Sequence, residues 1–181
     1  MQGWAGGKWH TKDFERALAA AGYSITGPLH ADILVAHSTA CYDLPLKTPI
    51  IYYFLIDPPY WPGKSIFQRV FAKKMSDSRF VRQKLGWKHL VIKTVWEVIY
   101  VLAKPGYTKL ALKNNKELTF MSSLADKKVT LIRNEQDNFC SPDIQVALAS
   151  YPSVNYVTAP GLHDDYYYNP QPYIDLLPKE L

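Results

Sequence analysis

Four short apolar runs separated by stretches of helical period predict an α/β protein: a mostly parallel, three-layer sheet flanked by helices. The runs are Asp32–His37 (DILVAH), Pro49–Ile56 (PIIYYFLI), Val129–Ile132 and Val154–Thr158. A strand with one wet face alternates apolar and polar residues, whereas a near-continuous run fits a strand covered on both faces. Buried strands alternating with helices are the pattern of a parallel sheet. Composition agrees. The 181 residues are 48% hydrophobic, 14% aromatic and 20% charged, enough to bury a core in one domain spanning 1–181 and too apolar for intrinsic disorder.

The elements follow in order. Met1–Gly7 is a Gly-rich opening that fits no dinucleotide or phosphate loop. Thr11–Ala21 reads as a helix, capped by Thr11, with Phe14, Leu18 and Ala21 on one face and Gly22 as its stop. Tyr23–Ile25 reads as a short strand. DILVAH is followed by a turn and a short helical piece stopped by Pro45. PIIYYFLI is the next buried strand. The interval from Pro58 to Lys128 holds no clear strand but two or three helical patterns, so a helical cap insert is expected at about 58–127. Ile66, Phe67, Val70 and Phe71 share one helical face. His89–Ala103 is apolar on almost every side, with Lys93 and Glu97 four apart, and such a helix needs cover. Ser141–Pro142 looks like a helix start, placing Asp143 in a first turn.

Charge and cysteine content narrow the classes. The net charge is +5, with 21 Lys and Arg against 16 Asp and Glu. Nine of those bases and one acid, Asp77, lie between Lys64 and Lys93. This reads as a solvated basic face, or as a contact for anionic membrane. No nucleic-acid motif accompanies it, so no nucleic-acid partner is expected. Two cysteines, Cys41 and Cys140, form no metal or redox spacing. No signal peptide and no membrane span of roughly 20 apolar residues is visible, so a cytoplasmic location is expected.

Three loops carry the chemistry, each directly after a buried strand. AHSTA at 36–40 places Ser38 at a sharp strand-to-helix turn, with small Ala36 and Ala40 where the backbone must approach closely. RNEQDNFCSPD at 133–143 offers Asp137 to orient a histidine. APGLHDDYYYNP at 159–170 carries His163, able to take the serine proton and return it to a leaving group. The order Ser38, Asp137, His163 is that of a hydrolase triad on an open α/β sheet. Asp57, after PIIYYFLI, is the rival acid. His37 reads as a packing or support residue, and Asp164 and Asp165 as shaping the histidine loop. Tyr60, Trp61 and Tyr166 either line a substrate pocket or pack the cap. No metal is expected, because His163, Asp164 and Asp165 lack a matching ligand cluster.

On these residues the sequence resembles the α/β-hydrolase superfamily, and more closely its small serine hydrolases of the retinoblastoma-binding-protein type. The likeness is clearest at Asp32–Ala40, Val129–Pro142 and Val157–His163. It implies a serine hydrolase with a Ser-His-Asp triad and an acyl-enzyme, without cofactor. It also implies an oxyanion hole made by the Thr39 backbone N–H and a second N–H from Trp4 or Gly3. Such donors contribute about 3–4 kcal/mol each because they meet charge that develops in the transition state. The expected substrate is a small carboxylic ester, with amide or thioester less favoured. Two alternatives stand beside it. One is a catalytically weak or inactive binding protein on the same fold, motivated by the alanines at the elbow and the short stretch before the Gly3–Ala5 loop. The other is a lipid-directed esterase with a basic membrane-docking cap.

Overall fold

The computed structural model describes residues 11–27, 30–46, 48–63, 66–103, 105 and 118–179. Helix α1 (Lys12–Ala20) comes first, then β1 (Ile33–His37), a 3-10 turn (Ser38–Tyr42) and β2 (Tyr52–Ile56). Helix α2 (Ile66–Ala103) and a second 3-10 turn (Met121–Leu124) lie in the long interval. Next are β3 (Lys128–Asn134), α3 (Ile144–Leu148), β4 (Val154–Ala159), α4 (Asp165–Tyr168) and α5 (Gln171–Ile174).

The four strands form one sheet in the order β1-β2-β3-β4, and every pairing is parallel. The register places His37 opposite Ile56, Ile56 opposite Ile132, and Ile132 opposite Val157. All four carboxyl ends therefore lie along one edge, where open α/β sheets bind their ligands.

Both faces of the sheet are covered, which explains the unbroken apolar runs. Successive side chains point to opposite faces. Leu34, Ala36, Tyr53, Leu55, Val129 and Leu131 pack on one side with Met121, Leu124, Ile144 and Leu148. Phe54, Ile56 and Ile132 pack on the other side with Phe14 and Leu18 of α1 and with Tyr166, Tyr173 and Ile174. The three-layer α/β prediction holds.

Local expectations differ from the structure in three places. Tyr23–Ile25 is irregular and joins no strand. A three-residue segment gains few ladder bonds for the backbone it must order. Thr11 does not cap α1 through its side chain; its hydroxyl donates to Glu15 Oε1 at 2.7 Å instead. The α2 interval is helical as expected but broken at Gly86, whose φ of 81° leaves the helical region. Only glycine takes that conformation without penalty, so the two halves meet there at a sharp corner. Across the corner, the Arg82 guanidinium stacks on the Trp87 ring at 5.3 Å. Among the described residues, no helix is long and apolar enough to cross a membrane.

Candidate active site

Ser38 is the first residue past β1. Its φ is 56°, a left-handed conformation, directly after an extended His37. The chain reverses from strand to helix at this one residue, which holds the hydroxyl above the sheet edge. Ala36 and Ala40 are completely buried on either side, so the turn fits because both are small. Ser38 itself is only 4% exposed.

His163 and Asp137 converge on it. The Ser38 hydroxyl lies 2.9 Å from His163 Nε2, and His163 Nδ1 lies 2.9 Å from Asp137 Oδ2. The carboxylate can only accept, so the proton sits on Nδ1 and Nε2 accepts from the serine. Asp137 Oδ1 also accepts the Phe139 N–H at 2.6 Å, which fixes the carboxylate in its loop. All three side chains are buried.

The loops that hold these groups are cross-braced. Gln136 N–H donates to Gly161 O at 3.0 Å and Glu135 N–H to Ala159 O at 2.9 Å, joining the acid loop to the histidine loop. Arg133 Nε donates to Cys140 O at 2.9 Å and closes the acid loop from within. Gly161 has a φ of 122°, and a Cβ there would lie 2.4 Å from Asp165 Oδ2. A side chain at that position would push the histidine loop off Asp165.

A second polar layer backs the histidine. His37 Nε2 donates to the His163 carbonyl at 2.8 Å, and the two rings lie 4.7 Å apart. The Tyr167 hydroxyl donates to His37 Nδ1 at 3.4 Å. Lys93 of α2, 5% exposed, donates to Asp164 Oδ2 at 2.8 Å, next to His163 in the chain. His37, expected as a packing or support residue, supports the His163 backbone directly. The Lys93 link was missed. Its signal was one lysine within a helix apolar all round, because a buried ammonium needs a counter-charge.

The remaining site residues are placed as follows. Thr39 is the second residue of the 3-10 turn, directly after Ser38, and is buried. Gly3 and Trp4 lie outside the described residues. Tyr60 makes a backbone bridge to the acid loop, with its carbonyl accepting the Ser141 N–H at 2.6 Å. Trp61 is half-buried beside it. Tyr166 needs correction as a pocket residue. It is buried in the core, edge-on to Phe14 at 5.2 Å and 4.5 Å from the His37 ring. Asp143 accepts from the Ser141 hydroxyl at 2.9 Å, away from the histidine.

Asp57 also reaches this edge. Metal-ligand-type atoms of His37, Asp57 and His163 lie within 4.8 Å of one another, as do those of Asp57, Asp137 and Cys140. Both ring nitrogens of His163 are already engaged by Ser38 and Asp137, so the first group has no histidine lone pair to offer a metal without breaking that chain. Burial, and then the Asp137 charge, push the Asp57 carboxyl well above the usual carboxylate range. Burial likewise raises the Cys140 and Cys41 thiols, leaving them protonated and inert.

No protein-family model matches the chain, and neither does any curated protein. Solved structures do. A hydrolase from Pseudomonas aeruginosa superposes with a TM-score of 0.54 at 13% identity, over 91% of this chain and 67% of that one. A serine hydrolase from Cycloclasticus zankles gives 0.54 at 14% identity, over 93% and 67%. A structure from a study of carboxylesterases of the thaumarchaeon Nitrososphaera gargenis gives 0.50 at 15% identity, over 91% and 67%. This chain thus spans about two thirds of the length of each. The fold is that of the α/β-hydrolases.

Proposed function

We propose that the protein is a serine hydrolase that cleaves a carboxylic ester through an acyl-enzyme. The observation that carries this reading is the chain of two 2.9 Å contacts from Ser38 Oγ through His163 to Asp137, set on a left-handed serine at a strand end. Ser38 Oγ attacks the acyl carbon as its proton passes to His163 Nε2. Asp137 holds the ring in that tautomer and faces the imidazolium that forms. The Thr39 N–H receives the oxyanion, and the Gly3–Ala5 loop is proposed to supply the second donor. The intermediate collapses as His163 returns the proton to the departing alkoxide. Water, deprotonated by His163, then attacks the acyl-Ser38 ester and releases the acid. Amide and thioester substrates would follow the same steps.

The 58–127 segment is proposed to act as the cap. Lys93 reaches the residue next to His163, so α2 lies where it can cover the site. Within the superfamily, the motifs at Asp32–Ala40, Val129–Pro142 and Val157–His163 favour the small hydrolases of the retinoblastoma-binding-protein type.

Intact-mass labelling with a fluorophosphonate tests the mechanism. One adduct is expected on the wild type, none on Ser38→Ala, and far slower labelling of His163→Ala. No adduct on the folded wild type would overturn it.

A further inference from the structure

One buried titratable group at this edge has no part in the mechanism above. Asp57 follows β2 and is completely buried. Its φ is 48°; Ser38 and Asp57 are the non-glycine residues in the left-handed region among those described. They stand one position past His37 and Ile56, which face each other across β1 and β2. A side chain held in that conformation is strained, and its surroundings must fix it there.

The surroundings do so. Asn134 donates its backbone N–H to Asp57 Oδ1 at 2.7 Å and its amide Nδ2 to Oδ2 at 2.6 Å. The same amide donates to Leu162 O at 2.6 Å and accepts from the Tyr173 hydroxyl at 2.7 Å. One asparagine thus ties the end of β2 to the histidine loop and to α5. The titratable and charged groups facing Asp57 are His37 from β1, Cys41 from the first 3-10 turn, and Arg133 from β3. Asp137 and Cys140 face it from the acid loop, Tyr156 from β4, His163 from the histidine loop, and Tyr173 from α5. Arg133 is the permanent cation of this group, and its guanidinium already donates to Cys140 O and Glu135 O.

Two carboxyl groups therefore stand side by side in a dry site. Such a pair does not ionise twice at neutral pH; it keeps one proton between its members. Asp137 takes two N–H donors, from Phe139 and His163, and the His163 ring becomes a cation during reaction. Asp57 also takes two N–H donors, both from Asn134, so the donor count does not separate the two acids; the direct contact with the His163 ring makes Asp137 the better place for the negative charge. Resting on the triad reading above, we propose that Asp57 keeps a proton at neutral pH and donates it in a hydrogen bond to Asp137. Asp57 is then a positioning residue that aims the triad carboxylate at His163. The balance is simple: one proton, two carboxyl groups and one net negative charge facing the imidazolium. Burial and the Asp137 charge act on Asp57 in the same direction, against the Asn134 backbone N–H and the Arg133 charge.

Infrared difference spectroscopy on the whole chain tests this without substrate. At neutral pH the wild type should show the carbonyl stretch of a protonated carboxylic acid that Asp57→Asn lacks. That variant sets an amide nitrogen against Asn134 Nδ2, so its fold is checked by circular dichroism. Asp137→Asn leaves Asp57 in place but removes the neighbouring charge, and the titration midpoint of the band should fall by about one pH unit or more. Fluorophosphonate labelling of Ser38 should slow about tenfold or more in Asp57→Ala and recover in part in Asp57→Asn, whose amide again donates to Asp137. No band in the wild type, or a midpoint unmoved in Asp137→Asn, overturns the shared proton. Labelling without the band removes this proposal and leaves the triad. The band without labelling removes the triad and the positioning role it gives Asp57.

Discussion

The strand-end edge and helix α2 meet at Asp164, and they are built in opposite ways. At the edge, Ser38, Asp57, Asn134, Asp137 and His163 are buried, polar and matched to partners. Along α2, Trp87, Val91, Val95, Val98, Ile99 and Leu102 are more than half exposed, while Lys93 is buried. One region hides its polar groups, and the other shows its apolar ones. Polar groups removed from water hold fixed geometry because every lost partner is expensive. An apolar helix surface is non-directional and fixes nothing. Among the described residues, the Lys93–Asp164 ion pair ties α2 to the edge, beside the histidine that must not move.

The contrast can be broken at graded cost. The largest effect is expected at the edge: Asp137→Asn should slow turnover, or labelling of Ser38, by about 10³–10⁴-fold, because the neutral amide favours the wrong imidazole tautomer. Circular dichroism should stay unchanged. Next comes the link. Lys93→Met leaves the Asp164 carboxylate, 14% exposed, without its ammonium, and should destabilise by about 3 kcal/mol in urea unfolding. Adding Asp164→Asn should return part of that, since the stranded charge is gone.

A pH effect follows from Asp57. Its folded carboxyl is raised, chiefly by burial and then by Asp137, whereas the unfolded one is ordinary. Its contribution to stability is therefore complete below the ordinary carboxylate range. It is lost as pH rises toward the folded pKa. Relative to Asp57→Asn, the wild type should lose stability with rising pH, by at most about 1.4 kcal/mol per pH unit. A parallel pair of pH curves would mean that Asp57 is ionised in the fold. The smallest effect is on the exposed face. Leu102 is 76% exposed, and Leu102→Ser should change stability by less than about 0.5 kcal/mol. A larger loss would mean that this face is covered in solution.

The site was partly legible in the chain. Ser38, Asp137 and His163 could be named because each has the residue type its role needs and follows a buried run. Asp57 satisfied the same two conditions, so the choice between two acids stayed open until distances separated them. His163 Nδ1 meets Asp137 at 2.9 Å, whereas Asp57 is held by Asn134. Tyr166 was ambiguous because a tyrosine run beside a histidine loop fits a pocket wall and a core equally. The short helix α4 turns it toward Phe14 and His37.

By itself, the amino-acid sequence determined the four covered strands, the helices between them and the sharp turn at Ser38. These depend on burial period, residue size and backbone preference, which act over a few neighbouring positions. The tertiary structure alone decided that Lys93 meets Asp164, 71 positions away, that His37 meets the His163 carbonyl, 126 away, and that two carboxyl groups share one dry site. Those meetings depend on strand register and on how loops cross the sheet edge. Neither leaves a periodic trace in the chain, because each is settled only when the whole sheet packs.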